Sequence, residues 1–85
     1  MTIQELEDRV WAQDNIRIVV RAAENTRVGD YNYERKAQDN WRITEFTNKR
    51  LKNILSNLEV VVIMGNGELA HGATLLQSVR SSYKI

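Results

Sequence analysis

The sequence predicts a single α+β domain that spans residues 1–85, with its elements in the order α-β-β-α-β-α. Three observations lead to this fold class. Apolar residues recur with a helical period near the start and in the middle of the chain, they alternate between residues 15 and 36, and a β-branched run follows at 58–64. A chain of 85 residues with 42% hydrophobic content has enough apolar side chain to form one core. We therefore expect a three-stranded mixed sheet with helices packed on it.

The first predicted helix covers residues 2–13. Thr2 can cap its start, and Glu5 follows three residues later, which is the spacing of a capping box. Leu6 and Val10 fall on one helical face, so this face should point to the core.

Strict alternation predicts a β-strand over residues 15–24 with a basic outer face. Turn-forming residues at 25–30 then lead into a second alternating stretch at 31–36, so we expect a β-hairpin. The apolar set of the first strand is Ile16, Ile18, Val20 and Ala22.

The helical period returns between residues 42 and 56, and Glu45 and Lys49 form an i,i+4 pair on its polar face. The strand at 58–64 follows this helix. A helical crossover usually joins parallel strands, so this strand should lie parallel to one strand of the hairpin.

The run Val60–Met64 is apolar at every position, which is typical of a strand that is central or covered on both faces. A glycine turn at 65–67 and a last helix at about 73–82 complete the chain. This last helix has an apolar face, and the face on its other side is polar and uncharged.

The composition and charge of the chain exclude several kinds of site and segment. The chain has no cysteine, which excludes disulfides and thiolate metal sites and is consistent with a reducing cytoplasm. The longest apolar run is far too short to span a bilayer, and the acidic N-terminus is unlike a secretory signal. Residues 1–15 have net charge −3 and residues 16–53 have +4, but the total of +1 is too low to require a nucleic-acid partner.

The stretch Gly67–Thr74 reads G-x-x-x-x-G-A-T and differs from a phosphate-binding loop at one position. Ala73 stands where that loop has its lysine, and the chain is too short for the larger parallel sheet of such enzymes. We therefore interpret this stretch as a glycine turn between a strand and a helix. His71 is the single histidine and has no second cluster of ligands, so we expect a loop side chain and no metal site.

The basic middle of the chain contains the candidate binding residues. Basic residues interleaved with aromatic ones are found in protein hot spots, where Tyr, Trp and Arg are enriched. Binders of single-stranded nucleic acid use the same residue types, with charge for phosphate and rings for bases. A third interpretation is that the tyrosines pack on the sheet and the arginines form a solvated face. The candidate residues are Arg17, Arg21, Tyr31, Tyr33, Arg35 and Trp41.

In size and in its lack of catalytic motifs, the chain is similar to the small cysteine-free accessory proteins of phages and mobile elements, which include inhibitors of host defence. We predict a cytoplasmic binding protein that is not an enzyme, has no cofactor and contacts a protein. A small nucleic-acid-binding module using the same surface is the alternative. A homodimer is a further option, through the sheet edge or through the uncharged face of the last helix.

Overall fold

The computed structural model describes residues 1–23 and 25–83, and in this part of the chain three helices and two strands surround one core. The elements are α1 (Ile3–Asp14), β1 (Arg17–Arg21), α2 (residues 43–55), β2 (Glu59–Ile63) and α3 (Leu76–Ser82). The prediction of a small mixed helix–strand domain is thus confirmed. Glu24, at the end of the first predicted strand, and residues 84–85 of the predicted domain lie outside the described residues. The main buried apolar side chains are Leu6, Val10, Ile16, Ile18, Val20, Tyr31, Ile43, Phe46, Leu51, Leu55, Val62, Leu76 and Val79.

The start of α1 is the predicted capping box. The Glu5 amide donates to the Thr2 hydroxyl over 3.1 Å, and the Thr2 amide donates to a Glu5 carboxylate oxygen over 2.9 Å. The helix ends at Asp14 and is capped by Asn15, whose φ of 57° lies in the left-handed region, and β1 begins two residues after this cap. This turn directs the inward residues of β1 toward Leu6 and Val10 of α1.

The sheet differs from the prediction in strand number and direction. β1 pairs with β2 in the antiparallel direction, with Arg17 opposite Ile63 and Arg21 opposite Glu59. The described residues therefore form a two-stranded antiparallel sheet and not a three-stranded mixed one. The alternation in β1 was predicted correctly, because Ile18 and Val20 are buried while their neighbours are exposed.

Residues 31–36, predicted as the second strand of a hairpin, do not form one. The period-two pattern places Tyr31 and Tyr33 on the same side, and their rings lie 4.9 Å apart. Both tyrosines contact other elements through their side chains, since the Tyr31 hydroxyl donates to Asp14 and the Tyr33 ring covers Arg50. Side-chain contacts hold this segment in place of a ladder of backbone hydrogen bonds.

The middle helix was predicted at 42–56 and is observed at 43–55, with the Glu45–Lys49 ion pair at 3.8 Å. It consists of α-helical turns at Ile43–Phe46 and Lys52–Leu55 on either side of a π-helical turn at Thr47–Leu51. π-Turns are rare and wider than α-turns. Here two consecutive residues of the π-turn, Arg50 and Leu51, are both buried.

β2 was predicted to be central or covered on both faces, and its outer face is covered only in part. Val62 is buried, whereas Val61 and Ile63 point away from the core and are half-buried. After the glycine turn the chain returns along the free edge of β2, because the Ala70 amide donates to the Val62 carbonyl over 2.9 Å. Leu69 forms a bridge with Ile63 in this short return.

The last helix begins at Leu76 and not at residue 73. Residues 72–74 form a turn beside the start of α2, because the Thr74 amide donates to the His71 carbonyl and the amides of Ile43 and Thr44 donate to the carbonyls of Thr74 and Gly72. This segment gains backbone hydrogen bonds from α2 that a longer α3 would lose.

Candidate functional site

The contacts of the six candidate residues divide them into two surfaces and the core. Arg17 and Arg21 lie on the solvent-facing side of β1, where both are exposed. Tyr33 and Trp41 contact Arg50 of α2, and Arg35 is exposed on the same connecting segment. Tyr31 is in the core. The structure thus does not gather the six residues into one site.

The outer sheet face consists of three cross-strand pairs. Residues directly opposite each other in an antiparallel pair share a face. The burial pattern of β1 shows that this face points to solvent, and Val19 at its centre is 43% exposed. The pairs are Arg17 with Ile63, Val19 with Val61, and Arg21 with Glu59. Arg21 and Glu59 also form a long, exposed ion pair at 3.9 Å.

Trp11 of α1 forms one rim of the outer sheet face. Its ring is 38% exposed, and the Arg17 guanidinium carbon lies 4.6 Å from the ring centroid in a cation–π contact. A groove of about 400 Å³ runs between this rim and the sheet, and its lining includes Glu7, Asp8 and Val19. The groove therefore has an aromatic wall, an apolar floor and two acidic side chains.

Tyr83 closes the end of the sheet. Its hydroxyl accepts a hydrogen bond from the Arg17 amide over 3.0 Å and donates one to the Ile63 carbonyl, so it occupies the end of the β1–β2 ladder. The ring also packs edge-on against Trp11, with centroids 5.3 Å apart. Burial raises the pKa of the Tyr83 phenol above its ordinary value, and the neighbouring Arg17 opposes this shift.

Leu69 forms the opposite rim and is the most exposed large apolar side chain of the described residues, at 56%. It shares the outer side with Ile63 because the two residues are bridge partners. The glycine turn before it depends on Gly65, where a Cβ atom would lie 1.6 Å from the Ser82 carbonyl oxygen. Close approach to α3 thus requires glycine at this position.

Asp14 lies at the centre of a buried polar cluster. This cluster lies beneath the surface that contains Tyr33, Arg35 and Trp41. Asp14 is fully buried, and its carboxylate accepts hydrogen bonds from the Tyr31 hydroxyl, the Ala37 amide at 2.7 Å and the Arg50 guanidinium at 2.9 Å. Burial and the hydrogen bond to Asp14 raise the pKa of Tyr31 well above its ordinary value. Tyr31 is only 1% exposed, so it offers no surface to a partner and belongs to this cluster.

The cation–aromatic stack, formed by Tyr33, Trp41, Lys49 and Arg50, covers the Asp14 cluster. The Arg50 guanidinium carbon lies 4.4 Å from the Tyr33 ring centroid and 5.4 Å from that of Trp41. Lys49 lies 4.6 Å from the Trp41 centroid. The protein's own cations therefore already occupy positions over these rings.

The glycine-rich stretch with His71 forms two turns, at 65–67 and 72–74, and connects a strand to a helix as the sequence predicts. The Gly72 carbonyl accepts hydrogen bonds from the Thr44 amide and hydroxyl at 3.0 and 2.9 Å. His71 is exposed. Residues 1–23 and 25–83 contain no group of three His, Asp or Glu side chains arranged to hold a metal ion.

Comparison with protein-family models, with curated proteins and with solved structures finds no match to this chain. Within the described residues, none of the helices has the length and apolar character needed to cross a bilayer.

Sequence reasoning placed Arg17 and Arg21 on an exposed strand face but missed the residues that complete it. Val19 lies between them in the alternating pattern and was identifiable as an exposed apolar residue. The positions of Trp11 and Leu69 follow from tertiary contacts, since one lies on α1 and the other follows the glycine turn. No local pattern relates these two residues to β1.

Proposed function

We propose that this protein acts without catalysis and binds another protein through the outer sheet face. The observation that carries this proposal is the exposed Val19, which lies between two arginines and beside the half-exposed ring of Trp11. Trp and Arg are enriched among the residues that dominate protein interfaces, and an apolar centre with a charged rim is the usual arrangement.

Nucleic acid is the less favoured partner for this face because acidic groups share it. Glu59 lies within 3.9 Å of Arg21, and Glu7 and Asp8 line the groove beside Arg17. Carboxylates at these positions repel phosphate. The rings of the cation–aromatic stack are already covered by Lys49 and Arg50, which leaves less of their faces for stacking with bases.

The proposal extends to the biological setting. The absence of cysteine supports a cytoplasmic role, either as an accessory protein of the phage or mobile-element type or as an inhibitor of a host system.

The absence of cysteine makes a direct test simple, because Val19→Cys introduces a unique thiol on the outer sheet face. The rate of its reaction with a thiol reagent is measured for dilute protein, for concentrated protein and for dilute protein in an extract of the source cells. Binding at this face should slow labelling in at least one of the last two conditions. Asn53→Cys, at an exposed position on α2, is the matched control and should react at one rate throughout.

Treatment of the extract separates the partner classes. Protection that disappears after protease digestion supports a protein partner, whereas protection that disappears after nuclease digestion replaces the proposal with the nucleic-acid alternative. Equal labelling of the Val19→Cys protein in all three conditions contradicts the proposed function.

A further inference from the structure

We infer that the partner of the outer sheet face is a second copy of this chain, docked face to face about a two-fold axis parallel to the strands. The inference rests on the proposed function and names the partner of that surface. The inference follows from the order of side chains across the outer sheet face. Each of the three cross-strand pairs forms one row across the sheet, and the rows follow one another along the strands.

A two-fold axis parallel to the strands keeps each row at its height and exchanges its left and right sides. Each residue of β1 then faces the cross-strand neighbour of its equivalent on the other copy. Stacked sheets with nearly aligned strands are a common packing arrangement, with the two faces about 10 Å apart.

The third row makes this axis the electrostatically favoured one. Arg21 of each copy faces Glu59 of the other, so two opposite-charge pairs form across the interface. An in-plane axis perpendicular to the strands would instead place Arg21 over Arg17 of the second copy, and these like charges repel.

Under the same axis the other two rows bring apolar side chains together, except that Arg17 faces Ile63 of the second copy. In the central row Val19 packs on Val61. In the first row Trp11, Arg17, Ile63 and Leu69 follow one another across the face, so the exposed Leu69 of one copy faces Trp11 of the other. The groove beside Trp11 provides about 400 Å³ for this protruding side chain.

Both edges of the sheet are covered in part by the chain itself. On the outer edge of β1, the Val20 amide donates to a Glu7 carboxylate oxygen over 3.1 Å. On the outer edge of β2, the Val62 carbonyl accepts from the Ala70 amide. These backbone groups are satisfied within the chain and are not free to pair with a second copy.

The size of the face predicts a weak dimer. Five residues per strand give a length of about 17 Å, and so small a face falls at or below the lower end, about 1,200 Å² in total, of specific interfaces. We therefore expect association in the micromolar range, visible as a concentration-dependent mass in sedimentation velocity.

Charge reversal with mixing tests both the partner and the orientation. Arg21→Glu places a carboxylate opposite Glu59 of the second copy, and Glu59→Arg places a guanidinium opposite Arg21. Each variant alone should dimerise about ten-fold or more weakly than the wild type, because two interfacial pairs become repulsive. An equimolar mixture should form a heterodimer close to wild-type strength, since every reversed charge then faces an opposite one.

The mixture distinguishes the interfacial pairs from the pair within each chain. Neither variant regains its own Arg21–Glu59 ion pair on mixing, so recovery of the dimer must come from contacts between chains. Both side chains are about two-thirds exposed, so circular dichroism and the urea midpoint should match the wild type.

A wild type that stays monomeric at millimolar concentration, or a mixture that associates no better than either variant, overturns the inference. If in addition the Val19→Cys thiol is protected in the cell extract, the proposed function stands with a different protein as its partner. If that thiol is labelled equally everywhere, both proposals fail.

Discussion

Asp14 is the residue through which the connecting segment between β1 and α2 is attached to the rest of the molecule. It lies at the end of α1. Its carboxylate accepts hydrogen bonds from Tyr31 and Ala37 of this segment and from Arg50 of α2. A buried carboxylate is tolerated only when it is paired and hydrogen-bonded, as it is here. Removing the charge leaves the buried guanidinium without its partner.

We therefore expect Asp14→Asn to lower the free energy of unfolding by about 3–5 kcal/mol, because Arg50 stays buried without a counter-charge. Urea denaturation followed by circular dichroism measures this change. The control is Asp8→Asn, at an exposed position of the same helix, which should stay within about 0.5 kcal/mol of the wild type. Equal stability of the two variants would show that the cluster contributes nothing measurable.

Among the elements, α1 has the start that its local sequence encodes, whereas α2 has an internal turn that its local sequence does not reveal. The capping box needs two side chains three residues apart, which the sequence displays directly. The π-turn at Thr47–Leu51 instead accompanies the burial of both Arg50 and Leu51, and Arg50 there pairs with Asp14 on another helix.

Removal of the cap tests the contribution of α1. Thr2→Ala removes the hydroxyl that accepts the Glu5 amide, so the free energy of unfolding should fall by about 1 kcal/mol in urea denaturation. Hydrogen bonds from the backbone and side chain of Thr2 lower the pKa of Glu5, so the separate contribution of the Glu5 carboxylate to the cap is present at neutral pH and is lost as the pH falls through that lowered pKa. Gln4→Ala, at an exposed position of the same helix, is the control. A loss equal to that of this control would mean that the cap does not stabilise α1.

At the scale of the whole molecule, two tyrosines make the fold sensitive to alkaline pH. The pKa values of Tyr31 and Tyr83 are raised above the ordinary 10.0 in the folded state, chiefly by burial. The unfolded chain therefore loses these protons first. Their contribution to stability is complete below pH 10 and declines as the pH rises above it.

Urea denaturation between pH 8 and pH 11 should show this decline. Tyr83→Phe should reduce the slope, because one of the two titrating phenols is removed. Gln77→Ala, at an exposed position of α3 without a titrating group, should keep the slope of the wild type. A slope that is identical in all three proteins would rule out Tyr83 as a source of the pH dependence.

The elements that depend on neighbours in the sequence were predictable. The capping box, the inward set of β1, the middle helix and the glycine turn rest on spacings of two to four residues, which local hydrogen bonds and one-sided burial impose. Strand pairing was not predictable in this way. The antiparallel partner of β1 is β2, about forty residues away, and the alternating segment at 31–36 lies against Asp14 and Arg50 through its tyrosines.

The residues of the outer sheet face were also predictable only in part from the sequence. Alternation along β1 was enough to place Arg17, Val19 and Arg21 on an exposed face. Trp11, Ile63 and Leu69 join them only because α1, β2 and the return after the glycine turn pack at the same place. Local spacing decides which side of a strand a residue faces, whereas contacts between distant segments decide which residues share that side. These contacts depend on how the whole core packs.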